Sequence, residues 1–180
     1  MQTYIALFRG INVSGQKKIK MADLRQHLEN LGFQHVKTYI QSGNVIFQFE
    51  ESAPKDLEQQ IAKKIQAEYG FDVSIFITNA SILKEILENN PFLERGEDVK
   101  KLYVTFLDQQ PSQEKIDLLQ SVDYSPEEYI LRDLYIYFFF PNGYGRAKLN
   151  NNFFERKLKV TATTRNWKTV NKLYELAYNE

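Results

Sequence analysis

The hydrophobic residues of this chain change spacing along its length, and these changes predict where strands and helices lie. Residues 4–8 form an apolar run that stops at Arg9-Gly10, which is typical of a strand buried on both faces. Residues 36–40 and 45–49 are predicted as two more strands, separated by the hairpin-type turn Ser42-Gly43. Between the first two runs, apolar residues recur at helical spacing and end at a glycine: Met21, Leu24, Leu28, Leu31, then Gly32.

The next thirty residues complete a βαββαβ order. A helix is predicted to start near Pro54 and to end at Gly70, because apolar residues again recur at helical spacing between them. Residues 71–78 alternate apolar and polar side chains and predict a fourth strand. Residues 1–78 thus have the element order of a ferredoxin-like unit.

This fold has a consequence for the loops of the unit. A strand-helix-strand crossover leaves its two strands parallel, and in the ferredoxin-like arrangement the third strand inserts between them. The first strand then ends at the edge of the sheet where the hairpin turns. We therefore expect Arg9, Gly10 and Asn12 to lie near residues 41–44.

The second half of the chain predicts the same order from a weaker pattern. A helix at residues 81–89 ends at Asn90-Pro91, and residues 93–98 are interpreted as a linker. The four predicted strands are residues 101–107, 129–131, 134–140 and 160–163, with helices from Pro111 and Leu149 and a last helix capped by Thr164. The expected fold class is α+β, with two ferredoxin-like βαββαβ lobes at residues 1–92 and 98–180, each followed by a helix.

The amino-acid composition limits the cellular location and the classes of partner that are expected for the protein. The chain has 180 residues, no cysteine and no apolar run near the ~20 residues of a membrane span. No signal peptide is visible at the N-terminus, so a cytoplasmic protein without a membrane partner is expected. Net charge is zero overall but −6 over residues 81–140 and +5 over residues 141–180. A dedicated nucleic-acid binder is usually more basic.

Three runs of residues carry a family resemblance. Residues 9–13, 39–45 and 163–170 resemble those of the domain-of-unknown-function 1697 family of small bacterial proteins, as do Asn90-Pro91-Phe92 and residues 143–146. The resemblance covers essentially the whole chain. It implies a two-lobed α+β fold of ferredoxin-like units in a bacterial cytosolic protein. It implies no particular activity and no catalytic residues.

The first candidate site is the polar loop after the first strand, together with the hairpin turn. Backbone N–H groups at Gly10 and Gly43 can approach a phosphate closely, and Arg9 is a forked donor. The candidate ligand-binding side chains are Arg9, Asn12, Lys17, Lys18 and Lys20 of the loop, with Gln41, Ser42 and Asn44 of the turn. The alternative is structural: Arg9 pairs with a carboxylate, the asparagines shape the turns and the lysines are solvated.

Two further candidates lie in the second half. The loop at residues 143–148, with Arg146 and Lys148, precedes a helix and can hold phosphate at the helix N-terminus, although it matches no established phosphate-binding motif. Arg165 and Asn166 would lie at the start of the last helix, where a cation opposes the helix dipole. In a ferredoxin-like lobe these four side chains would converge at one end of the sheet. Alternatively, residues 143–148 are a glycine-bearing loop after an edge strand, and at the last helix Thr164 is the cap and Trp167 anchors it in the core.

Catalytic and metal-binding patterns are sparse. His27 and His35 are isolated and lack carboxylates at ligand spacing, so we expect no metal site, and no cofactor motif is present. Phe47 and Phe49 share a strand face, but the strand lacks the aromatic cluster with which RNA-binding sheets stack bases.

Three functions therefore remain open. The first is a binding module for a phosphate-bearing ligand, such as a nucleotide or nucleic acid. The second is an enzyme that acts on a small metabolite in a cleft between the lobes. The third is a protein-interaction module that uses exposed aromatics of the strand at residues 134–140.

Overall fold

A computed structural model describes residues 1–179 of the chain. By backbone contacts these residues divide into two compact units, one formed by Met1–Ile86 and the chain from Asn171 onwards, the other by Leu87–Val170. Each unit contains one four-stranded antiparallel sheet with helices, so the predicted α+β fold of two ferredoxin-like lobes is confirmed. The predicted lobe boundaries at residues 92 and 98 stay a prediction about where the chain divides into folding domains.

The first unit has its strands in the order β2-β3-β1-β4. Its elements are β1 (Gln2–Phe8), α1 (Met21–Glu29), β2 (Gln34–Tyr39), β3 (Asn44–Phe49), α2 (Pro54–Tyr69), β4 (Ile75–Thr78) and the start of α3 (Ala80–Glu88). The second unit has the equivalent order β6-β7-β5-β8. Its elements are α4 (Pro91–Glu94), β5 (Leu102–Leu107), α5 (Gln113–Gln120), β6 (Glu128–Arg132), β7 (Tyr135–Phe139), α6 (Asn151–Leu158), β8 (Ala162–Asn166) and the start of α7 (Trp167–Tyr178).

The core of the first unit lies between its sheet and helices α1 and α2. Alternate strand residues such as Ala6, Val45 and Phe47 face the helices and are buried with Leu24 and Ile61. Phe47 stacks on Phe33 with ring centroids 4.3 Å apart. The aromatics of β3 therefore fill this core, and Phe47 has no exposed face on which a base could stack.

The core of the second unit is aromatic. Phe138 and Phe140 stack on one another at 4.9 Å, and Phe154 of α6 meets Phe138 edge-on at 5.2 Å. Tyr137 is fully buried, so the strand expected to expose aromatics for protein interaction keeps its central tyrosine inside. Burial of each such ring contributes about 1.5–3 kcal/mol of hydrophobic free energy.

Some predicted boundaries in the second unit are wrong. The strand expected at residues 160–163 is β8, which continues through Asn166, and the linker at residues 93–98 begins with the end of α4. Thr164 does not cap the last helix, because the Asn166 Oδ1 accepts from the Thr169 N–H at 2.8 Å. The polar run Thr163 to Asn166 lacks apolar alternation, and pairing with β5 makes it a strand nonetheless.

Candidate functional site

The loop after β1 meets the β2–β3 turn as expected from the fold. Leu7 pairs with Asn44, and the Phe8 N–H donates to the Gly43 carbonyl at 2.8 Å. The turn has four residues, Ile40–Gly43, and is thus longer than the predicted two-residue hairpin. Ile40 and Gly43 both adopt left-handed backbone conformations in it, with φ of 52° and 74°.

Asn12 ties this loop together. Its Nδ2 donates to the carbonyls of Ile19 and Gln41, both at 2.9 Å, and its Oδ1 accepts from the Ile19 N–H at 2.9 Å. Its φ of 56° is left-handed, a conformation that asparagine tolerates better than most residues. Asn12 therefore closes residues 12–19 into a compact loop and attaches that loop to the β2–β3 turn.

A cavity of about 460 Å³ lies beside this loop. We call it the loop cavity, and its walls are Asn12, Lys18, Ile19, Lys20, Met21, Asp23, Gln41 and Tyr69. The side chains of Lys18 and Lys20 are exposed and make no hydrogen bond or ion pair within residues 1–179. Lys17, in contrast, donates to the Asp72 carbonyl at 2.5 Å.

The first turn of α1 forms part of the same wall. Lys20 is the N-cap residue and provides no side-chain cap, so the first N–H groups of this helix keep their hydrogen-bonding capacity. Asp23 adds one carboxylate in that turn. The charged side chains of the cavity wall are two lysines and one aspartate, so the wall has a net charge of +1.

Tyr69 lines the cavity and carries a buried hydroxyl. The hydroxyl oxygen is inaccessible to solvent and has no hydrogen-bond partner in the described part of the chain. Burial, and then the charges of Asp23 and Glu68, raise the pKa of Tyr69, so the hydroxyl keeps its proton at neutral pH. It is a donor that lacks an acceptor, and leaving such a group unsatisfied costs about 1–3 kcal/mol.

The other predicted residues of the first site have structural contacts. Asn44 is fully buried, and its Nδ2 donates to the Tyr39 carbonyl at 3.0 Å and the Ser42 Oγ at 3.1 Å. The Arg9 backbone N–H donates to the Ser74 carbonyl at 3.0 Å, and its side chain is half-buried. Ser42 and Asn44 thus make contacts within the turn, and Gln41 reaches the cavity.

A carboxylate occupies the backbone donors of the second predicted site. Glu127 accepts from the Lys148 N–H at 2.8 Å and from the Leu149 N–H at 2.9 Å, directly before α6. The Asn150 side chain caps the same helix through the Phe153 N–H at 3.1 Å. These are the groups that a phosphate would use here, and an internal anion already binds two of them. The side chains of Arg146 and Lys148 are exposed.

Glu127→Ala is expected to lower the free energy of unfolding by about 1.5–3 kcal/mol, because two backbone donors lose a charged acceptor. Chemical denaturation of the purified chain measures this loss. Glu114→Ala is the matched control, since Glu114 is exposed in the first turn of α5 and should cost less than about 0.5 kcal/mol. Equal losses for the two variants would contradict the assignment.

Arg165 and Asn166 lie in β8, before the last helix. Arg165 is 8% exposed, and its guanidinium donates at 2.9 Å to the Thr163 Oγ1 and to the Thr164 carbonyl. Burial lowers its pKa to about 10, so it remains charged at neutral pH. β7 and β8 both end beside the start of β5, which agrees with the predicted edge. Convergence of Arg146, Lys148, Arg165 and Asn166 on one ligand stays a prediction.

Sequence reasoning found the lysines and the asparagine of the loop cavity but missed Asp23 and Tyr69. The helical spacing of α2 assigns Tyr69 to its inner stripe, and such spacing does not distinguish a core ring from a cavity wall. Within residues 1–179, no group of three His, Asp or Glu side chains could hold a metal ion, and no helix is long and apolar enough to cross a membrane.

Comparison with known proteins places this fold in a family. The family model described as Protein of unknown function (DUF1697) matches residues 1–137. The chain belongs to this family. The predicted resemblance is therefore confirmed, and the matched residues include the whole loop cavity.

A solved structure supports the same architecture. The conserved bacterial protein SP0830 from Streptococcus pneumoniae is 28% identical, with a TM-score of 0.75 over 97% of this chain and 98% of that one. No curated protein matches the chain. These likenesses support the fold.

Proposed function

We propose that the protein binds a small phosphate-bearing metabolite that carries hydroxyl groups, such as a sugar phosphate or a nucleotide, in the loop cavity. The observation that carries this proposal is a pair of exposed lysines that have no side-chain partner among residues 1–179. They lie beside an uncapped helix N-terminus, on the wall of a cavity of about 460 Å³. Cavities that bind metabolites and drugs usually measure about 300–1,000 Å³.

The phosphate end of the ligand would bind to Lys18, Lys20 and the first N–H groups of α1. Helix N-termini attract anions because free N–H groups point outward there and the helix dipole adds partial positive charge. Lysine ammonium groups supply full charges with several donors each. The excess of one positive charge on the wall favours an anion over a neutral sugar.

The hydroxyl end of the ligand would bind to the groups that carry no positive charge. Asp23 can accept hydrogen bonds from two adjacent hydroxyls, and Gln41 offers both a donor and an acceptor. Tyr69 also lines the cavity, with its hydroxyl oxygen closed off from solvent. In this proposal Asn12 lines the cavity, and Arg9, Ser42 and Asn44 support the adjacent turn.

A small ligand fits this cavity better than a nucleic acid. The chain has no net charge, whereas affinity for nucleic acids comes largely from neutralised phosphates. Two lysines suffice for one phosphate group. Arg146, Lys148, Arg165 and Asn166 belong to the second unit and have no role in the proposed site.

Thermal-shift titrations with ribose 5-phosphate, AMP, inorganic phosphate and ribose test this proposal. A ligand at about 100 times its Kd stabilises the folded state by about 2.7 kcal/mol, which corresponds to about 5–10 °C in Tm for a chain of this size. We expect ribose 5-phosphate or AMP to raise Tm more than phosphate alone, and ribose to have no effect. The double variant Lys18→Ala/Lys20→Ala should weaken binding at least about tenfold.

Two further variants sharpen the test. Asp23→Asn removes the carboxylate that is assigned to the hydroxyls, so it should reduce the advantage of ribose 5-phosphate over inorganic phosphate. Lys63→Ala is the matched control for lysine removal, because Lys63 is exposed on α2 and lies outside the cavity. No rise in Tm with any phosphate compound, or a rise that survives loss of both lysines, would contradict the proposal.

A further inference from the structure

We propose that two copies of this chain associate through β6, edge to edge and antiparallel, so that their second-unit sheets form one continuous eight-stranded sheet. The strand β6 is the outermost strand in the order β6-β7-β5-β8. Within residues 1–179 no other strand pairs with its outer side. A free strand edge is a template for another strand, and natural proteins usually block or use it.

The hydrogen bonds of β7 show which β6 groups point outward. The Leu134 carbonyl accepts from the Leu107 N–H, and the Phe140 N–H donates to the Lys101 carbonyl. The backbone N–H and C=O groups of the even-numbered residues from 134 to 140 therefore point toward β5. In an antiparallel ladder the bonding direction alternates from residue to residue. The backbone groups of the odd-numbered residues of β7 therefore point toward β6, where these residues pair with Glu128, Ile130 and Arg132. The outward backbone groups of β6 belong to Tyr129 and Leu131.

One register joins two copies of this edge with complementary charges. If Tyr129 of one copy pairs with Leu131 of the other, both outward residues of each strand form hydrogen bonds across the two-fold axis. Ile130 then lies opposite Ile130 of the second copy. Glu128 lies opposite Arg132 of the second copy, and by symmetry this ion pair occurs twice. The five-residue strand is therefore self-complementary in charge.

The neighbouring registers are poorer. A shift by two residues places Tyr129 opposite Tyr129 of the second copy, or Leu131 opposite Leu131. In either case the other outward residue of each strand lies opposite a residue beyond the end of β6 and loses its pairing. The shift also places a charged residue opposite Ile130: Glu128 in the first case and Arg132 in the second. Cross-strand pairs of opposite charge stabilise a sheet, and pairs of like charge destabilise it.

The single copy already holds these charges in place. Arg95 donates to both carboxylate oxygens of Glu128, at 2.6 and 2.9 Å, and so lowers the pKa of Glu128 and keeps it ionised. The Arg132 guanidinium donates to the outward Leu131 carbonyl at 3.2 Å. In the proposed dimer the Leu131 carbonyl would instead accept from the Tyr129 N–H of the second copy, and Arg132 would turn to Glu128.

Apolar surface flanks the same edge. Val122 and Leu134 are 48% and 49% exposed, and a cavity lined by residues of the 120–132 segment runs beside the strand. One like-charge contact, between Glu127 and Asp133 of the second copy, falls just beyond the strand ends. The Glu127 carboxylate is engaged by the N–H groups of Lys148 and Leu149, which weakens that repulsion.

Sedimentation equilibrium of the full chain and of charge variants tests this inference. We expect the wild-type chain to dimerise, and Arg132→Glu alone or Glu128→Arg alone to raise the dimer Kd about tenfold or more, because each places like charges opposite one another twice. A mixture of the two variants should restore the dimer as a heterodimer. In that heterodimer the two arginines of the Glu128→Arg strand face the two glutamates of the Arg132→Glu strand, so both ion pairs form again.

The mixing experiment separates pairing from folding. Glu128→Arg also removes one of the two carboxylate partners of Arg95, the other being Glu97. A misfolded variant would not recover in the mixture, and circular dichroism reports the fold of each variant. Lys63→Glu, an exposed charge reversal on α2, is the control and should leave the dimer Kd unchanged. A wild-type chain that stays monomeric at several hundred micromolar would overturn the proposal, as would a dimer that Arg132→Glu leaves intact.

Discussion

Gly43→Ala is expected to destabilise the chain by about 3–5 kcal/mol, because it combines backbone strain with overlap in the core. A Cβ at this position would lie 2.6 Å from the Ile11 Cδ1 and 2.6 Å from the Phe8 Cβ, closer than folded proteins tolerate. The φ of 74° adds the cost of a left-handed backbone for a residue with a Cβ. Phe8 belongs to the central strand β1, so the turn cannot move away without disturbing the sheet.

Chemical denaturation of Gly43→Ala and of a matched glycine variant measures this cost. Gly145→Ala is the control, because a Cβ at Gly145 meets nothing within 4 Å and its backbone is not left-handed. We expect Gly145→Ala to change the free energy of unfolding by less than about 0.5 kcal/mol. A loss below about 1 kcal/mol for Gly43→Ala would show that the turn relaxes and that the packing argument is wrong.

The fold was predictable from the sequence where short-range patterns determine it. Apolar runs that end at glycine, such as residues 4–8, gave the strands, and helical spacing from Leu57 to Tyr69 gave α2. The right-handed crossover rule then placed the loop after β1 beside the turn that contains Gly43. Asn12 of that loop and Gln41 of that turn both line the loop cavity.

The remaining features depend on contacts between residues distant in sequence. Tyr69 and Asp23 share the wall of the loop cavity although they are separated by two strands and a helix. Glu127 reaches two N–H groups more than twenty residues away, and no local pattern distinguishes it from a solvated surface acid. β8 is a strand because β5 pairs with it, which outweighs the weak strand propensity of its polar residues.

The proposed self-pairing of β6 depends on a feature that only the sheet order reveals. In the sequence, Glu128 and Arg132 are two ordinary surface charges on a short strand. Their complementarity becomes visible only when the sheet order identifies β6 as an edge and the ladder identifies its outward residues. The two proposals are independent, because the loop cavity lies in the first unit and β6 in the second.

Asn12→Ala is expected to lower the free energy of unfolding by about 2–3 kcal/mol, and it should weaken ligand binding as well. The variant removes two donors and one acceptor that join residues 12, 19 and 41, each at 2.9 Å, and Ile19 is only 2% exposed. It also places alanine at a left-handed φ of 56°. Two buried backbone groups of Ile19 would lose their partners, at about 1 kcal/mol or more each.

Asn12→Gly separates the two causes of that loss. Glycine adopts the left-handed backbone without strain but supplies no side-chain hydrogen bonds, so it should recover about 1 kcal/mol of the stability lost in Asn12→Ala. Both variants should release the Ile19 amide to faster hydrogen exchange and weaken phosphate-dependent thermal shifts, because Lys18 and Lys20 flank Ile19. Asn142→Ala, at an exposed turn position of the second unit, should change none of these. Retained ligand binding in Asn12→Gly, with fast exchange at Ile19, would show that the loop does not position the two lysines.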